Sequence, residues 1–211
     1  MKTTAIIPAY NEERNVSAVL AVLEDAAAVD EVLVVDDGST DHTAAAAAAF
    51  LKVRVIRHHT NRGKARALEA GYFQASGDIV LFLDADLTGL KVSHVQSLID
   101  PVASGRADTT IGIFRGGRGA TDIAQKIAPG LSGQRAFLRE TLQDFPFERC
   151  SGYEVETGLN KWAIRKGLRT ERVPLDGMSQ VMKEEKFGHA RGTLHRLRMF
   201  WDVLKAIVRH P

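Results

Sequence analysis

The chain has 211 residues, and its 28 lysines and arginines nearly balance 26 aspartates and glutamates, leaving a formal net charge of +2. With 45% hydrophobic residues, the composition is that of a folded globular protein, which excludes a disordered or collagen-like chain. The single cysteine, Cys150, excludes an internal disulfide and a cysteine-based zinc site, and it suits a reducing cytoplasm. The near-neutral charge argues against a nucleic-acid partner. No apolar run reaches the roughly 18 residues of a membrane span, and we expect neither a signal peptide nor a transmembrane helix.

Patterns typical of strands and helices alternate along the first half of the chain. Predicted strands cover residues 4–7, 32–35, 53–56, 79–83 and 109–114, and predicted helices cover residues 13–24, 41–50, 64–75 and 92–102. Alternation at this rhythm predicts an α/β domain, Rossmann-like, with a mostly parallel central sheet between helices. Later elements are predicted at residues 131–142, 153–166 and 170–174, with a terminal helix at 191–209.

Acidic and polar residues follow three of the predicted strands. Residues 8–13 follow the first strand, residues 36–41 the second, and Asp84-Ala85-Asp86 the fourth. Ligands of open parallel sheets bind beyond the carboxyl ends of the strands. Carboxylates gathered at one rim repel each other unless a cation or a donor-rich ligand joins them. The sequence therefore predicts a ligand site at this rim.

The two aspartates after the fourth strand suit a divalent cation. Asp84 and Asp86 are two positions apart on an extended segment, so their side chains point the same way. Proteins hold Mg²⁺ with one or two carboxylates together with substrate phosphates, and Mn²⁺ suits the same ligands. A merely solvated turn is the alternative. A dinucleotide site is not supported, because the turn after the first strand has no glycine, and no Gly-x-x-x-x-Gly-Lys-Ser/Thr phosphate loop is present.

Four segments, in this order and at this spacing, resemble the GT-A glycosyltransferases, especially family 2. They are IIPAYNEE (6–13), VVDDGSTD (34–41), NRGKARAL (61–68) and GDIVLFLDADL (77–87). The resemblance spans roughly residues 3 to 190 and implies a single GT-A domain over 1–190, with a nucleotide-sugar half (1–90) and an acceptor half (91–190). It implies a hexosyltransferase that takes a sugar from a UDP- or GDP-sugar and needs Mg²⁺ or Mn²⁺.

The resemblance assigns donor-side roles position by position. It implies that Pro8, Ala9, Tyr10 and Glu12 line the base and ribose, and that Asp37, with Asp36 beside it, reads the base edge. It implies that Lys64 reaches the donor phosphates or orders the loop near them. Asp84, Ala85 and Asp86 would contact the nucleotide-sugar, and Asp84 and Asp86 would hold the metal. The alternatives to these binding roles are structural: Tyr10 would pack on the first helix, and Lys64 would be a solvated residue at a helix start. Asp41 suits the N-cap of the following helix.

The acceptor half carries a second set of candidates. Ser132, Gly133 and Gln134 belong to LSGQRAF (131–137), which resembles the family segment under the acceptor. Glu154 and Glu156, in SGYEVETG (151–158), are the candidates for a catalytic carboxylate, which in inverting members deprotonates the acceptor hydroxyl. Arg115 and Arg118 flank glycines and suit an acceptor phosphate. His189 is the candidate third metal ligand, with an ordinary surface histidine as the alternative.

The chain is similar to two subfamilies with different acceptors, the polyprenyl-phosphate sugar synthases and glucosyl-3-phosphoglycerate synthase, and the acceptor class stays open between them. Residues 191–211 carry five basic side chains against one acid, a net of +4, together with apolar residues at helical spacing. A basic amphipathic helix of this kind suits an anionic membrane surface, which favours a lipid-phosphate acceptor, transfer with inversion, and a cytoplasmic enzyme peripheral to the inner face of the plasma membrane. The alternatives are a retaining enzyme similar to glucosyl-3-phosphoglycerate synthase with a soluble acceptor, and a non-catalytic nucleotide-sugar-binding subunit. A homodimer is left open.

Overall fold

The computed structural model of the chain describes residues 1–116, 132–150 and 154–180. In chain order its elements are β1 (Thr3–Ala9), α1 (Val16–Asp25), β2 (Glu31–Asp36), α2 (Thr43–Ala48), β3 (Val53–Arg57), α3 (Lys64–Gln74), β4 (Ile79–Phe82), β5 (Leu87–Thr88), α4 (Val92–Ala103), β6 (Thr109–Arg115), β7 (Arg135–Leu138), α5 (Glu154–Arg165), β8 (Thr170–Asp176) and β9 (Ser179–Gln180), with short 3-10 turns at Arg139–Leu142 and Phe147–Arg149.

Seven strands form one sheet in the order β3-β2-β1-β4-β7-β6-β8, and β5 pairs with β9 in a separate small ribbon. Strand β7 runs antiparallel to both of its neighbours, and the other pairs in the large sheet are parallel. The predicted α/β class with a mostly parallel sheet is therefore confirmed. Because β2, β1 and β4 are adjacent and parallel, the loops that follow them emerge at one edge.

The central strands are buried on both faces, which explains their continuous apolar runs. Leu81 of β4 packs in a cluster with α1 and α4, whereas its neighbours Val80 and Phe82 pack in a second cluster with α3 and α5. This alternation follows from the two-residue period of a strand. Burying each such side chain contributes about 1.5–3 kcal/mol. Strand β4 is thereby fixed firmly, and the segment that follows it starts from a rigid point.

The antiparallel direction of β7 decides which of its loops reaches the site. Phe82 at the end of β4 is in register with Arg135 at the start of β7. The segment that precedes β7, residues 132–134, therefore arrives at the same edge as the segment that follows β4. In a parallel arrangement it would have reached the opposite edge.

Two helices differ from the sequence prediction by more than one residue at an end. Helix α1 begins at Val16 and not at residue 13, because the amides of Asn15 and Val16 both donate to the carbonyl of Glu12 in a turn before the helix. The predicted helix over 41–50 is only Thr43–Ala48. Asp41 stays outside it, where its carboxylate accepts from the Thr43 amide at 3.0 Å and from the Glu13 amide at 3.2 Å.

Other predicted elements hold or fall outside the described residues. The strand predicted at 170–174 is β8, and the segment over 131–142 contains β7 and one 3-10 turn, while β5 and β9 were not predicted. The terminal helix predicted at 191–209 lies outside the described residues. Across residues 1–116, 132–150 and 154–180, no helix combines the length and the apolar character needed to cross a bilayer.

Replacing Gly38 with alanine should destabilise the fold more than the same change at Gly105. Both glycines have a positive φ, +74° and +72°, but a Cβ on Gly38 would lie 2.5 Å from the backbone of Thr60, whereas nothing lies within 4 Å of one on Gly105. Gly105→Ala should cost about 1–2 kcal/mol of unfolding free energy through φ strain alone. Gly38→Ala should cost about 3 kcal/mol or more, since backbone must also move. Urea unfolding measures both, and equal losses would contradict the close approach.

Candidate active site

The loops that follow β1 and β2 are joined by hydrogen bonds. The Asn11 amide donates to Ser39 Oγ at 2.9 Å, and the Thr40 amide donates to Asn11 Oδ1 at 2.9 Å. The Asp37 amide donates to the Ala9 carbonyl at 2.8 Å. Asn11 has a φ of +55°, a left-handed conformation that asparagine tolerates. The two loops therefore form one ordered floor at the rim.

The predicted base-binding residues of the first loop lie on this floor. Pro8 is half-buried and Ala9 is buried. Tyr10 is 44% exposed, so it is not buried against α1. Glu12 is half-buried, and its Oε2 accepts from the Asn15 side chain at 2.8 Å. The structure thus brings the four residues together and leaves the Tyr10 ring accessible to a planar ligand.

Asp36 is turned into the protein. It has no exposed surface; its Oδ1 accepts from the Ser39 amide at 2.9 Å, and its Oδ2 lies 3.1 Å from Arg57 Nε. A carboxylate buried in this way shapes the turn after β2. The implied contact of Asp36 with the base edge finds no open surface here.

Asp37 is also buried, at 3% exposure, and both of its oxygens accept hydrogen bonds from the chain. Oδ1 lies 2.7 Å from His58 Nδ1 and accepts from the Arg62 amide at 3.0 Å, and Oδ2 accepts from the Gly63 amide at 2.7 Å. Asp37 therefore ties the loop after β2 to the segment before α3. These contacts use three of about four carboxylate acceptor positions, so one position on Oδ2 is left for a base edge.

The centre of the rim is a lysine held between two carboxylates. Lys64 Nζ lies 2.5 Å from Asp84 Oδ1 and 2.6 Å from Glu156 Oε1. Lys64 is the first residue of α3, Asp84 follows β4, and Glu156 lies in the first turn of α5. The three side chains are 27%, 14% and 8% exposed. The alternative of a solvated lysine at a helix start is therefore wrong.

Two glutamines complete the surroundings of Asp84. Gln134 Nε2 donates to Asp84 Oδ2 at 2.8 Å, and the Gln180 side chain donates to the same oxygen. Ser132 Oγ donates to Gln134 Oε1 at 3.0 Å, which leaves the amide nitrogen of Gln134 to face Asp84. The predicted acceptor segment 132–134 thus contacts the donor-side aspartate directly.

The charges in this cluster stabilise one another. Burial alone would raise the pKa of the Asp84 carboxyl, but the Lys64 charge and the donated hydrogen bonds outweigh it and hold that pKa below its usual value. Burial alone would lower the pKa of Lys64, but the Asp84 and Glu156 carboxylates outweigh it and raise that pKa well above its usual value. Lys64 and Asp84 are therefore both charged at neutral pH.

Gly133 lies directly against this ion pair. A Cβ at this position would be 2.8 Å from both Lys64 Nζ and Asp84 Oδ2. Any larger residue would push the ends of these side chains apart, so the glycine keeps the segment close to the cluster.

A buried arginine, Arg135, lies close enough to Glu156 to interact electrostatically with it. Arg135 is 1% exposed; its Nε donates to the Ser132 carbonyl at 3.0 Å, and its guanidinium also contacts Asn160 Oδ1. Burial lowers the pKa of Arg135 to about 10, and the nearby Glu156 carboxylate opposes that shift. The sequence patterns indicate no role for Arg135, Gln180 or His58. Arg135 could have been singled out, because it lies in the segment LSGQRAF (131–137), which resembles the family segment under the acceptor.

The residues at the rim fit a divalent cation. Asp84 uses three of about four carboxylate acceptor positions in the contacts above, and Asp86 is half-buried two residues further on. Oxygen donors of this kind suit Mg²⁺ or Mn²⁺. In the part of the chain that the structure describes, no three or more His, Cys, Asp or Glu side chains cluster around a metal position.

Of the remaining predicted residues, Arg115 and Ala85 lie in the described part of the chain. Arg115 is exposed at the end of β6, where its carbonyl accepts from the Gly177 amide at 2.8 Å. Ala85 is buried between the two aspartates. Arg118, His189 and the side chain of Glu154 lie outside the described residues, so their assignments stay predictions.

The family described as Glycosyl transferase family 2 matches residues 4–156. The chain belongs to this family. Glucosyl-3-phosphoglycerate synthase of Mycobacterium tuberculosis is 30% identical over 214 residues, which cover 84% of this chain and 64% of that protein. Dolichol-phosphate mannosyltransferase of Pyrococcus furiosus is 34% identical over 117 residues, covering 53% of this chain and 33% of that protein. The chain thus spans less than two thirds of the length of these curated relatives.

A solved structure confirms the GT-A fold. Glucosyl-3-phosphoglycerate synthase of Mycobacterium tuberculosis in complex with Mn²⁺ and UDP-glucose superimposes with a TM-score of 0.73 at 30% identity, covering 85% of this chain and 71% of that one. The same relative was also solved with Mg²⁺ and UDP, at a TM-score of 0.71. Both cations expected from the sequence thus occur in complexes of a relative that shares this fold.

Asp84→Asn should flatten the acid side of the stability profile. Because the folded-state pKa of Asp84 is depressed, its ionised form stabilises the fold above its unfolded pKa. That contribution is lost as the pH falls below about 4 and through the folded-state pKa. Urea unfolding between pH 7 and pH 2 should therefore show a shallower decline in the variant. Asp25→Asn, an exposed change at the end of α1, should keep the wild-type slope. Equal slopes in Asp84→Asn and wild type would contradict the ion pair.

Proposed function

We propose that this protein transfers a sugar from a nucleoside diphosphate sugar to a phosphorylated acceptor, with Mg²⁺ or Mn²⁺ at the donor diphosphate. The observation that carries the proposal is Lys64 Nζ, held 2.5 Å from Asp84 and 2.6 Å from Glu156 beyond the carboxyl end of β4. The Lys64 ammonium, fixed in this way, is preorganised for the negative charge that develops on a departing diphosphate. Membership of glycosyl transferase family 2 supports the same reading.

The donor residues divide by chemistry. The exposed ring of Tyr10, with Pro8, Ala9 and Glu12, offers a floor for the base and ribose. Lys64 binds the diphosphate as a point charge. Asp86 and the remaining acceptor position of Asp84 would hold the cation, with His189 proposed as a third ligand. When bound, that cation neutralises negative charge on the leaving nucleoside diphosphate.

Glu156 has a described role and a proposed one. Its Oε1 holds Lys64 at 2.6 Å, and its Oε2 is buried without a hydrogen-bond partner. With a hydroxyl acceptor and inversion, this carboxylate or Glu154 would take the acceptor proton. A phosphate oxygen is largely ionised at neutral pH, its second pKa being about 6, so a phosphate nucleophile needs no such base. With a lipid phosphate, Glu156 would then serve to position Lys64.

We propose a lipid phosphate as the acceptor, as in the Pyrococcus furiosus relative named for dolichol phosphate. Arg115, exposed at the end of β6, and Arg118 would contact the phosphate. The protein would then be cytoplasmic and peripheral to the inner face of the plasma membrane, through residues 191–211. A soluble acceptor is the second candidate, because the phosphoglycerate synthase relative aligns with 84% of this chain against 53% for the mannosyltransferase.

Calorimetric titration with UDP-glucose, GDP-mannose, UDP and GDP, each with Mn²⁺ and with chelator, tests the donor site. We expect one nucleotide to bind, with an affinity that falls when the cation is removed. Transfer assays with a polyprenyl phosphate in vesicles and with 3-phosphoglycerate then separate the two acceptor classes. Nucleotide binding without transfer to either would favour a non-catalytic subunit, and no binding of any nucleotide would overturn the proposal.

Asp86→Asn should abolish the cation-dependent part of donor binding and the transfer reaction. An amide replaces the hard anionic oxygen that Mg²⁺ and Mn²⁺ prefer, while the shape of the side chain is kept. The free energy of unfolding should change by no more than about 0.5–1 kcal/mol at this half-buried position. Asp25→Asn serves as the matched control, and wild-type transfer by Asp86→Asn would remove Asp86 from the metal site.

Gly133→Ala should slow transfer without unfolding the protein. The new methyl would sit 2.8 Å from Lys64 Nζ and Asp84 Oδ2, and these are ends of flexible side chains that shift at modest cost. A displacement near 1 Å at the reacting centre lowers the rate by about 100-fold. Steady-state transfer and urea unfolding measure the two effects. Gly105→Ala, remote from the rim, should leave transfer unchanged, and an unimpaired Gly133→Ala enzyme would show that the cluster does not touch the reaction.

A further inference from the structure

The ends of β2 and β3 place two basic side chains against two consecutive aspartates. Strand β3 is parallel to β2, and Asp36 is in register with Arg57. Arg57 Nε lies 3.1 Å from Asp36 Oδ2, and one residue further His58 Nδ1 lies 2.7 Å from Asp37 Oδ1. The His58 amide also donates to the Asp36 carbonyl at 2.9 Å, which extends the strand pairing by one residue. His58 is therefore held by backbone and side chain at once.

The Asp37 carboxylate connects His58 to the segment before α3. Its two oxygens also accept from the Arg62 and Gly63 amides, at 3.0 and 2.7 Å. The His58 and Asp37 side chains are 9% and 5% exposed, so water does not compete strongly for these bonds. Asp37 only accepts, hence the proton must lie on His58 Nδ1.

Helix α3 begins with the next residue, which is Lys64. Gly63 is the N-cap residue of α3, has a φ of +89°, and has no side chain that could cap the helix. The position of this turn therefore depends on the hydrogen bond that the Gly63 amide donates. That amide meets Asp37. A shift of the Gly63 peptide would carry Lys64 with it, away from Asp84 and Glu156.

We propose that His58 is a positioning residue for Lys64. By donating from Nδ1 to Asp37, His58 fixes the carboxylate that receives the Arg62 and Gly63 amides, and so sets the start of α3 and the place of the Lys64 ammonium. His58 belongs to none of the four segments that carry the family resemblance. The consequence for donor binding rests on the proposed function, whereas the consequence for the loop does not.

The side-chain geometry of histidine provides a graded test. An asparagine amide can place its nitrogen close to the position of Nδ1, whereas the longer glutamine places its nitrogen closer to that of Nε2. His58→Asn should keep the bond to Asp37, and His58→Ala and His58→Gln should lose it. His59→Ala is the matched control, because His59 is the exposed neighbour.

Hydrogen exchange of the backbone amides, read by NMR without nucleotide, measures the loop. In His58→Ala and His58→Gln the Arg62 and Gly63 amides should exchange at least about tenfold faster than in wild type, the scale of a hydrogen bond to a charged group. In His58→Asn and His59→Ala they should exchange as in wild type. Unchanged exchange in His58→Ala, or equal loss in the alanine and asparagine variants, would overturn the proposal.

Titration with a nucleoside diphosphate measures the effect on Lys64. His58→Ala should weaken binding of UDP or GDP by about tenfold, and His58→Asn by less than about twofold. In a Lys64→Met background the same His58→Ala change should have little further effect, because it acts through Lys64. An undiminished effect in that background would show that His58 does not act through the lysine.

The two proposals fail separately. If wild-type protein binds no nucleoside diphosphate, the proposed function is overturned, and the exchange rates still decide whether His58 holds the loop. If Lys64→Met does not fold, because Asp84 and Glu156 are left facing each other, the exchange rates and the contrast between the asparagine and glutamine variants decide the inference.

Discussion

A single ammonium group, that of Lys64, joins three separate parts of this structure. It comes from the start of α3, and its partners Asp84 and Glu156 come from the end of β4 and the start of α5. Charges buried to this degree are costly unless paired, so the three elements are stable together only in the arrangement that pairs them. The cluster thus specifies the geometry of the rim more than it adds to the stability of the fold.

The rest of the rim serves to keep that arrangement fixed. Asp37 and the amides of Arg62 and Gly63 set where α3 begins. The reversed direction of β7 brings Gly133 and Gln134 to the same edge as Asp84. Donor-side and acceptor-side segments, which are far apart in the sequence, therefore share hydrogen bonds. A substitution in either segment would therefore disturb the other segment through the Asp84 carboxylate.

Local patterns sufficed for the parallel half of the fold. The apolar run at 79–83 predicted β4 within one residue, and the acids after β1, β2 and β4 were correctly expected at one rim. Local patterns failed where a distant group decides the conformation. The helix expected from residue 41 begins two residues later because Asp41 bonds the amide of Glu13 in another loop.

The site shows the same division between local and distant determinants. Asp84, Lys64 and Glu156 were each singled out, but their mutual contact was not, since Lys64 and Glu156 are 92 positions apart. Asp36 and Asp37 were expected to face a nucleotide, and both carboxylates turn inward, because Arg57 and His58 on the neighbouring strand draw them there. Gln180 carries no charge or motif, so no pattern could indicate its bond to Asp84.

The contact between Gln180 and Asp84 spans 96 positions, and it bears on how the protein is made. A ribosome delivers the chain from its amino end, so β1 to β4, which pair among themselves, are available early. Lys64 and Asp84 can then meet, but Glu156 and Gln180 have not yet been synthesised. A nascent chain therefore holds the lysine by one carboxylate instead of two. The charge balance of the cluster is completed when Glu156 has been translated, and its hydrogen bonds when Gln180 has followed, so an unfinished polypeptide does not present the complete cluster.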